Sequence, residues 1–577
     1  MNRIRTLSAL PLALLLASNA SMAATGEVAE LIYYGGPILT MDDAQPRAEA
    51  VAIAAGRIIG VGPLETIEAS HRTDQTALHN LNGHALLPAF VDAHSHFSFV
   101  GIQAISANLL PPPDGPGSSI PALQQALREH LAAHPEVREM GLLIGFNYDD
   151  SQLTEQRHPT RQELDAVATD IPIVAIHQSG HLGVYNSLAL QKAGIDASTA
   201  NPDGGVIIRE ADGVTPNGVM EENAHIATVM KLLPKFTPAQ RVQMLNQAQD
   251  IYLANGFTTV QEGRAMADTV NGLQQAAQAG LLKVDLVVYP DLQMNIDNPL
   301  LHGPLMSRDY QQHVRIGGVK LTFDGSPQGK TAWFTHPYFI APDHETADYH
   351  GHPIFADDSV PLKLMQTAYD NGWQVLVHTN GDAAIDQLLS LTRQVQSGRP
   401  KPWDFRTVLI HGQYLRADQI PQLRELGIFP SLYPMHTFYW GDWHRTSVAG
   451  PELAEFISPT RAVQDAGMKF SIHSDAPVTF PNSMRILHSA VNRVTRSGYV
   501  LGPDQRLDVE TALKAMTIWP AWQHFEEDSK GSISTGKLAD LIILDRDPTA
   551  IAKDDLLNLK VLETIKQGQS LYQAQSL

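Results

Sequence analysis

The sequence predicts a mixed α/β fold, in which a barrel of eight parallel strands carries a small β domain built from both chain ends. Eight short, nearly continuous apolar runs recur through the middle of the 577 residues, and stretches with helical spacing, such as 382–395 and 417–426, follow several of them. Apolar strands that alternate with helices are typical of a parallel sheet covered on both faces. Eight such strands favour a closed, distorted (β/α)8 barrel of the TIM type.

The chain ends predict the small β domain. Short strand-like runs at 30–34, 48–54 and 58–61 are separated by turns, and the run 541–544 near the other end reads LIIL. Because neither piece has enough strands to be stable alone, we expect 24–85 and 531–577 to combine into one β-sandwich.

The region between them, 86–530, is predicted to be the barrel. The gap between the first two strands is too long for one crossover helix, so about 105–225 is predicted to be an insertion after strand one. The predicted barrel strands are residues 86–96, 258–263, 284–290, 316–324, 374–378, 407–411, 428–433 and 470–475.

Composition and charge exclude several classes of function. The 41 Lys and Arg against 61 Asp and Glu give a formal charge of −20, which argues against nucleic acid or an anionic membrane as partner. The absence of cysteine from the sequence excludes disulfides, thiol nucleophiles and Cys-ligated zinc. Any metal ion must therefore be bound by the 24 histidines and by carboxylates.

The first 23 residues are predicted to be a signal peptide. Arg3 and Arg5 precede the apolar run 10–17, and small residues at Ser21 and Ala23 suit a cut after Ala23. The run is too short to span a membrane, so we expect an exported bacterial protein, periplasmic or secreted, with no membrane span.

Histidines and one aspartate fall at the ends of separate predicted strands. Strand one ends His94-Ser95-His96, and the spacing of two points both imidazoles to the same side. Three further polar residues end strands five, six and eight: His378, His411 and Asp475. Functional residues of such barrels lie at the carboxyl ends of the strands. Together these residues predict a metal centre, although one such histidine alone would usually be structural.

Lys320 ends the apolar part of strand four, and an ammonium group has no lone pair for a metal. The order HxH, Lys, His, His and Asp along the strands resembles the amidohydrolase superfamily. In that superfamily the lysine is often N-carboxylated and bridges two metal ions. The resemblance implies N6-carboxylysine at Lys320 and two divalent ions, with zinc favoured and manganese, nickel or iron as alternatives.

Further segments narrow the resemblance to the YtcJ-like branch, which includes N-substituted formamide deformylases. They are GFNYDD at 145–150, Gly180-His181, Asn186-Ser187, Asp324-Gly325-Ser326, HTNGD at 378–382, His411-Gly412-Gln413, SDAP at 474–477 and the tail 531–540. The sequence departs from the branch at Ile410, where a glutamate is more common, and at His473, where a glycine is more common.

The predicted activity is hydrolysis of a carbon–nitrogen bond other than a peptide bond, in an N-acyl or N-formyl amide. The ligand set implies metal-activated hydroxide, with Asp475 as general base and then general acid. The same site could cleave esters, lactones or phosphotriesters, and a non-catalytic periplasmic regulatory or binding protein is the alternative from another class. A Ser–His–Asp triad is disfavoured because the sequence has no G-x-S-x-G motif.

Four residues are candidates for substrate binding. By resemblance His181 contacts the substrate, although a structural histidine is an equal alternative. Asp324 either contacts substrate, orients the strand of Lys320 or caps a turn before Gly325. His436 and Trp440 lie in an aromatic segment after strand seven, which could form an apolar wall or pack against other helices or a second subunit. We therefore expect a small substrate with an apolar or aromatic part, and the sequence leaves a homodimer open.

Overall fold

The computed structural model describes residues 27–342, 345–399 and 404–575, so the predicted signal peptide lies outside the described residues. The strands are β1 (Leu31–Leu39), β2 (Arg47–Ala54), β3 (Arg57–Gly62), β4 (Ala77–Asn80), β5 (Ala85–Pro88), β6 (Phe90–Val91), β7 (Ala107–Asn108), β8 (Leu143–Tyr148), β9 (Ile173–His177), β10 (Leu182–Tyr185), β11 (Gly205–Arg209), β12 (Pro216–Glu222), β13 (Phe257–Ala265), β14 (Asp285–Pro290), β15 (Val314–Ile316), β16 (Gly318–Thr322), β17 (Gln374–Thr379), β18 (Val408–His411), β19 (Phe429–Leu432), β20 (Ser471–Ile472), β21 (Leu541–Leu544), β22 (Val561–Lys566) and β23 (Gln569–Gln573).

The helices connect these strands and cover the parallel sheets. They are α1 (Leu64–His71), α2 (Phe97–Ala104), α3 (Ile120–Ala133), α4 (Glu136–Met140), α5 (Arg161–Asp165), α6 (Ser187–Ala193), α7 (Asn223–Leu232), α8 (Pro238–Ala254), α9 (Ala267–Gln278), α10 (Leu292–Asn295), α11 (Ser359–Asp370), α12 (Asp382–Gln396), α13 (Ile420–Leu426), α14 (His436–Trp443), α15 (Gly450–Ala454), α16 (Thr460–Asp465), α17 (Ser483–Asn492), α18 (Val509–Lys514) and α19 (Ile518–Gln523). Among the residues that the structure describes, no helix is long and apolar enough to cross a lipid bilayer.

Both chain ends contribute to one eight-stranded sheet. Its strands lie in the order β23-β22-β21-β5-β1-β2-β3, and β4 pairs with β1. The LIIL run of β21 is continuously apolar because its alternate residues pack into two different cores. Leu541 and Ile543 belong to the core of this sheet, whereas Ile542 and Leu544 belong to the large central core.

The middle of the chain forms two parallel sheets. One has the order β15-β14-β13-β6, and the other runs β16-β17-β18-β19-β20. At one seam the Gly317 amide donates to Val288 O at 3.0 Å. At the other, the His96 amide donates to Ala476 O at 2.6 Å and the Asp475 amide donates to His94 O at 3.2 Å. The strands that end in predicted ligands therefore meet side by side.

The first predicted barrel strand, 86–96, is divided between two sheets. Its first part, β5, pairs with β21 of the end sheet, whereas β6 pairs with β13 of a parallel sheet. The backbone changes partner between two adjacent residues, because the Ala89 amide donates to Asp540 O and the Phe90 amide donates to Gly256 O.

The predicted insertion contains its own sheet, of order β11-β12-β10-β9-β8-β7. Residues such as Leu109, Leu127, Leu143 and Val184 form a separate core beneath it. Helix α7 follows this sheet directly and leads back through α8 to the parallel strand β13.

Candidate metal centre and substrate cavity

Six side chains from five segments of the parallel sheets meet in one buried cluster. His94 Nε2 lies 3.1 Å from Lys320 Nζ and 3.4 Å from Asp475 Oδ1, and His96 Nε2 lies 3.3 Å from the same Asp475 oxygen. His411 Nε2 lies 3.1 Å from His378 Nδ1 and 3.9 Å from Asp475 Oδ2. The structure thus brings together the residues predicted as ligands: His94, His96, Lys320, His378, His411 and Asp475.

The backbone is strained at two of these residues. His411 has φ 77° and Asp475 has φ 54°, values that residues other than glycine rarely adopt. Such conformations cost about 1–3 kcal/mol each and are found mainly at functional sites. These backbone conformations direct the side chains of His411, at the end of β18, and Asp475, after β20, toward the cluster.

The hydrogen bond at His94 Nδ1 leaves the lone pair of Nε2 directed at Lys320 and Asp475, where a metal would bind. His94 Nδ1 lies 2.5 Å from Gln261 Oε1, an amide oxygen that only accepts, so Nδ1 carries the proton. Nε2 therefore presents its lone pair toward Asp475 Oδ1, a buried oxygen without a hydrogen-bond partner among the described residues. Two lone pairs facing each other in a buried site repel, and a cation between them would remove that repulsion.

Hydrogen bonds also orient the imidazoles of His378 and His411. His378 Nε2 lies 3.1 Å from the Gly325 carbonyl and donates to it, which leaves Nδ1 free beside His411 Nε2. His411 Nδ1 lies 3.1 Å from His473 Nε2, and His473 Nδ1 lies 3.0 Å from Ser431 Oγ. His473, where the sequence departs from the branch, thus orients a ligand, as outer partners of metal-binding histidines do.

Burial keeps these imidazoles neutral. It lowers the pKa of His94, His378 and His411 well below the usual value, and nearby positive charges lower it further. Burial likewise lowers the pKa of the Lys320 amine to about 7. Neutral imidazole nitrogens together with a carboxylate suit zinc and similar divalent ions, so the donor set fits a metal centre.

A cavity of about 240 Å³ opens from this cluster. Its floor includes the side chains of His96, Lys320, His378, His411 and Asp475. Its walls are mainly apolar and come from outside the parallel sheets, on α2 and on α7 with the residue that follows it: Phe99, Ile102, Ile226, Val229 and Leu233. Most of the apolar wall therefore belongs to the insertion side of the molecule.

His181 lines the cavity and is held by an unpredicted residue, Glu222. His181 Nδ1 lies 2.7 Å from Glu222 Oε2, and the His181 ring lies 5.3 Å from the ring of His378. Glu222 has φ 48°, another strained conformation. A side chain at Gly325 would place its Cβ 2.3 Å from Glu222 Oε1, so glycine there leaves room for this carboxylate. Glu222 is distant in sequence from every predicted site residue, since even His181 is 41 residues away, and no sequence motif marks it.

Two other functional candidates were missed although the strand-end rule could have found them. Gln261, which binds His94, is the central residue of β13, and Arg264, which lines the cavity, is its penultimate residue. In the predicted strand 258–263, Gln261 lies two residues before the end and Arg264 directly after it, and polar residues near a strand end are the signal that predicts the metal ligands.

Asp324 is a structural residue and does not line the cavity, contrary to its prediction as a substrate-binding residue. Its carboxylate is fully buried and accepts the backbone N–H groups of Trp333, Asn380 and Gly381. Burial raises its pKa to about 7 despite these hydrogen bonds. It holds the loop after β17, and hence His378, in place.

The aromatic segment after strand seven is also not a cavity wall, which corrects the prediction for His436 and Trp440. It forms helix α14, and both residues are almost fully buried. His436 Nδ1 lies 3.0 Å from His444 Nε2, and Trp440 Nε1 donates to Asp149 of the insertion. The helix turns both side chains into the protein, where Trp440 anchors the insertion.

A second His and Asp group lies in the insertion at Asp149, Asp150 and His177. His177 Nδ1 accepts the Ser179 amide at 3.1 Å, so its proton is on Nε2, which lies 3.0 Å from Asp150 Oδ1. This tautomer places a proton on Nε2 beside the Asp150 carboxylate and disfavours metal binding through Nε2.

Comparison with known proteins places the chain in a family. The sequence profile of the amidohydrolase family matches residues 77–572. The chain belongs to the amidohydrolase family. As a member of it, the chain is an enzyme, a hydrolase acting on carbon–nitrogen bonds other than peptide bonds.

Individual relatives agree with this assignment. The chain is 28% identical to an N-substituted formamide deformylase of Arthrobacter pascens, over 95% of this chain and 99% of that protein. It is 26% identical to the amidohydrolase named YtcJ of Bacillus subtilis, over 94% and 99% of the two chains. The crystal structure of a metal-dependent hydrolase from Pyrococcus horikoshii has a TM-score of 0.71 at 23% identity, covering 91% of this chain and 99% of that one. This likeness confirms that the two chains share a fold.

Proposed function

We propose that this amidohydrolase cleaves the carbon–nitrogen bond of an N-acyl or N-formyl amide with the help of two divalent metal ions, zinc being the first candidate. The observation that carries the proposal is the convergence of four imidazoles, Lys320 and Asp475 in one cluster at the base of the cavity. The name of the deformylase relative supports the choice of amide substrate.

Lys320 is the residue that we expect to be N-carboxylated. Its amine is almost fully buried and its pKa is lowered to about 7 by burial, so much of it is neutral at physiological pH. A neutral amine is the form that adds to carbon dioxide, and the resulting carbamate is an anionic oxygen ligand. His94, His96 and Asp475 would then hold one ion and His378 and His411 the other, with carboxylated Lys320 between them.

When bound, the ions would polarise the scissile carbonyl and lower the pKa of the attacking water. Asp475 accepts a proton from that water as its oxygen adds to the carbonyl carbon. Asp475 then gives the proton to the amide nitrogen as the C–N bond breaks, releasing a carboxylic acid and an amine. His181, oriented by Glu222, lies on the cavity wall where it can donate a hydrogen bond to the substrate.

The architecture around the site belongs to the same proposal. We propose that the two parallel sheets act as one closed eight-stranded barrel, in which β15 and β16, separated only by Gly317, count as one strand. We also propose that 24–85 and 531–577 form one β-sandwich domain beside it. We also propose that residues 1–23 direct export to the periplasm or the medium.

The proposal is tested by turnover and metal content together. His94→Ala and Asp475→Asn should each abolish amide hydrolysis while the protein stays folded, and His130→Ala on α3, away from the cavity, should keep wild-type activity. A panel of N-formyl amines, N-acyl amides, esters and phosphotriesters, with metal analysis by mass spectrometry, names the reaction. Hydrolysis of esters or phosphotriesters but not amides would overturn the amide assignment, and unchanged activity in His94→Ala would overturn the site.

A further inference from the structure

The cavity contains a permanent cation that is not among the six predicted ligands. Arg264 lies at the end of β13, and 24% of its side chain is exposed. Its Nε donates to Asp291 Oδ2 at 2.8 Å, which fixes the orientation of the guanidinium group. Among the residues that the structure describes, none accepts a hydrogen bond from its two terminal amino groups. Those groups are free to bind an acceptor on a ligand.

Arg264 lies close to the site of the reaction. Glu262, two residues before Arg264, forms a backbone bridge with His96. Asp291, the ion-pair partner of Arg264, forms a backbone bridge with Lys320. The guanidinium group is therefore held between the strand ends that carry two of the ligands. A group that it binds must be attached within a few bonds of the scissile amide.

The cavity walls formed by α2 and α7 are apolar, in contrast to Arg264, and they indicate an apolar part of the substrate. Ile226, Val229 and Leu233 follow the face of α7 that borders the cavity, and Phe99 and Ile102 of α2 complete the wall. At 1.5 Å per residue, Ile226 to Leu233 covers about 10 Å, room for a medium-length unbranched chain. Burying such a chain gains roughly 25 cal/mol per Å² of apolar surface.

We propose that Arg264 is a carboxylate-binding residue, so that the substrate is an amide with an apolar arm on one side and a carboxylate close to the scissile bond on the other. This inference rests on the proposed amide hydrolysis and adds the charge of the substrate to it. The planar guanidinium fork matches the two oxygens of a carboxylate, which is the geometry that distinguishes arginine from lysine. A neutral amide leaves the two terminal amino groups of Arg264 without a charged acceptor in a largely apolar cavity, and therefore binds more weakly.

Binding to an inactive variant tests this without turnover. Metal-loaded Asp475→Asn protein is titrated calorimetrically with N-hexanoylglycine and with N-hexanoylglycinamide, which differ only in the carboxylate. We expect the acid to bind about 10- to 100-fold more tightly than the amide. Adding Arg264→Met should remove this preference, and Arg264→Lys should restore only part of it. Arg241→Met on α8, outside the cavity, serves as the matched control and should keep it.

Removing Arg264 leaves Asp291 buried without its partner, so Arg264→Met combined with Asp291→Asn is the second variant. Asparagine can still accept the Met294 amide that Asp291 Oδ1 accepts now. Equal affinity for both probes, or a preference that survives both Arg264 variants, would overturn the proposal. In the active enzyme, loss of Arg264 should raise KM for the acid and remove the advantage of the acid over the neutral amide in kcat/KM.

Failure of this inference can be told apart from failure of the proposed function. If wild-type protein hydrolyses amides but the probes bind equally, only the carboxylate assignment is wrong. If the acid binds preferentially through Arg264 but no amide is hydrolysed, the binding site stands and the reaction is wrong. An equal fall in kcat for both probes would mean that Arg264 acts on the reacting carbonyl, which also overturns the proposal.

Discussion

Replacing Gln261 by leucine should weaken metal binding as well as the fold. The Gln261 amide oxygen lies 2.5 Å from His94 Nδ1, and its Nε2 donates to Ala93 O at 2.8 Å. Leucine keeps most of the volume but leaves the buried His94 N–H without an acceptor. Losing such an outer partner typically costs 10- to 100-fold in metal affinity, about 1.4 to 2.7 kcal/mol. Zinc affinity is measured by competition with a chromogenic chelator.

The chain offers a matched control in Gln523. Its Nε2 donates to the same Ala93 carbonyl at 2.7 Å, and it is as fully buried as Gln261, but it does not contact His94. Gln523→Leu should lower the free energy of unfolding by about 1 to 3 kcal/mol, much as Gln261→Leu does, and leave zinc affinity unchanged. Equal zinc affinities for the two variants would refute the role given to Gln261.

Three further predictions follow from buried groups. Glu222→Gln should lower kcat/KM by about 10- to 100-fold at unchanged metal content, because the histidine it holds loses a charge-assisted hydrogen bond; an unchanged kcat/KM would contradict this. Lys320→Ala should abolish turnover and reduce bound metal, and added short carboxylic acids should restore part of both; full metal content would contradict a bridging role. Burial alone would raise the pKa of Glu526. The positive charges of Lys530 and Arg315 outweigh burial and lower this pKa from 4.5 to about 2. Its stabilisation is therefore complete above pH 4.5 and is lost as the pH falls toward 2, by about 3 kcal/mol in all. Glu526→Gln should flatten that acid limb of the unfolding free energy, which urea titrations at several pH values measure.

The metal ligands could be predicted because each is a local feature of the sequence. An apolar run that ends in His or Asp defines both a strand and the place where its side chain emerges. The same rule applied to β13 would have found Gln261 and Arg264. It could not find Glu222, because Glu222 acts only through the pairing that brings β12 of the insertion beside His181.

For the aromatic segment that forms α14, the sequence did not determine which surface the side chains cover. Aromatic residues close together after a strand suit a cavity wall and a buried helix equally well, since apolar composition does not state which surface they cover. Helix α14 turns His436 and Trp440 inward, toward His444 and Asp149, whereas α7 supplies the wall. Asp324 likewise has a structural role because three backbone N–H groups converge on it, and two of them, from Asn380 and Gly381, come from a loop 56 and 57 residues away.

The sequence by itself therefore determined the alternation of strands and helices, the donor atoms of the metal centre and the family resemblance, all of which depend on short stretches of chain. Only the tertiary structure decided which imidazole nitrogens are free, what lines the cavity and which cation faces a substrate. Those properties depend on how the insertion packs over the strand ends, and that packing joins residues that are distant in sequence.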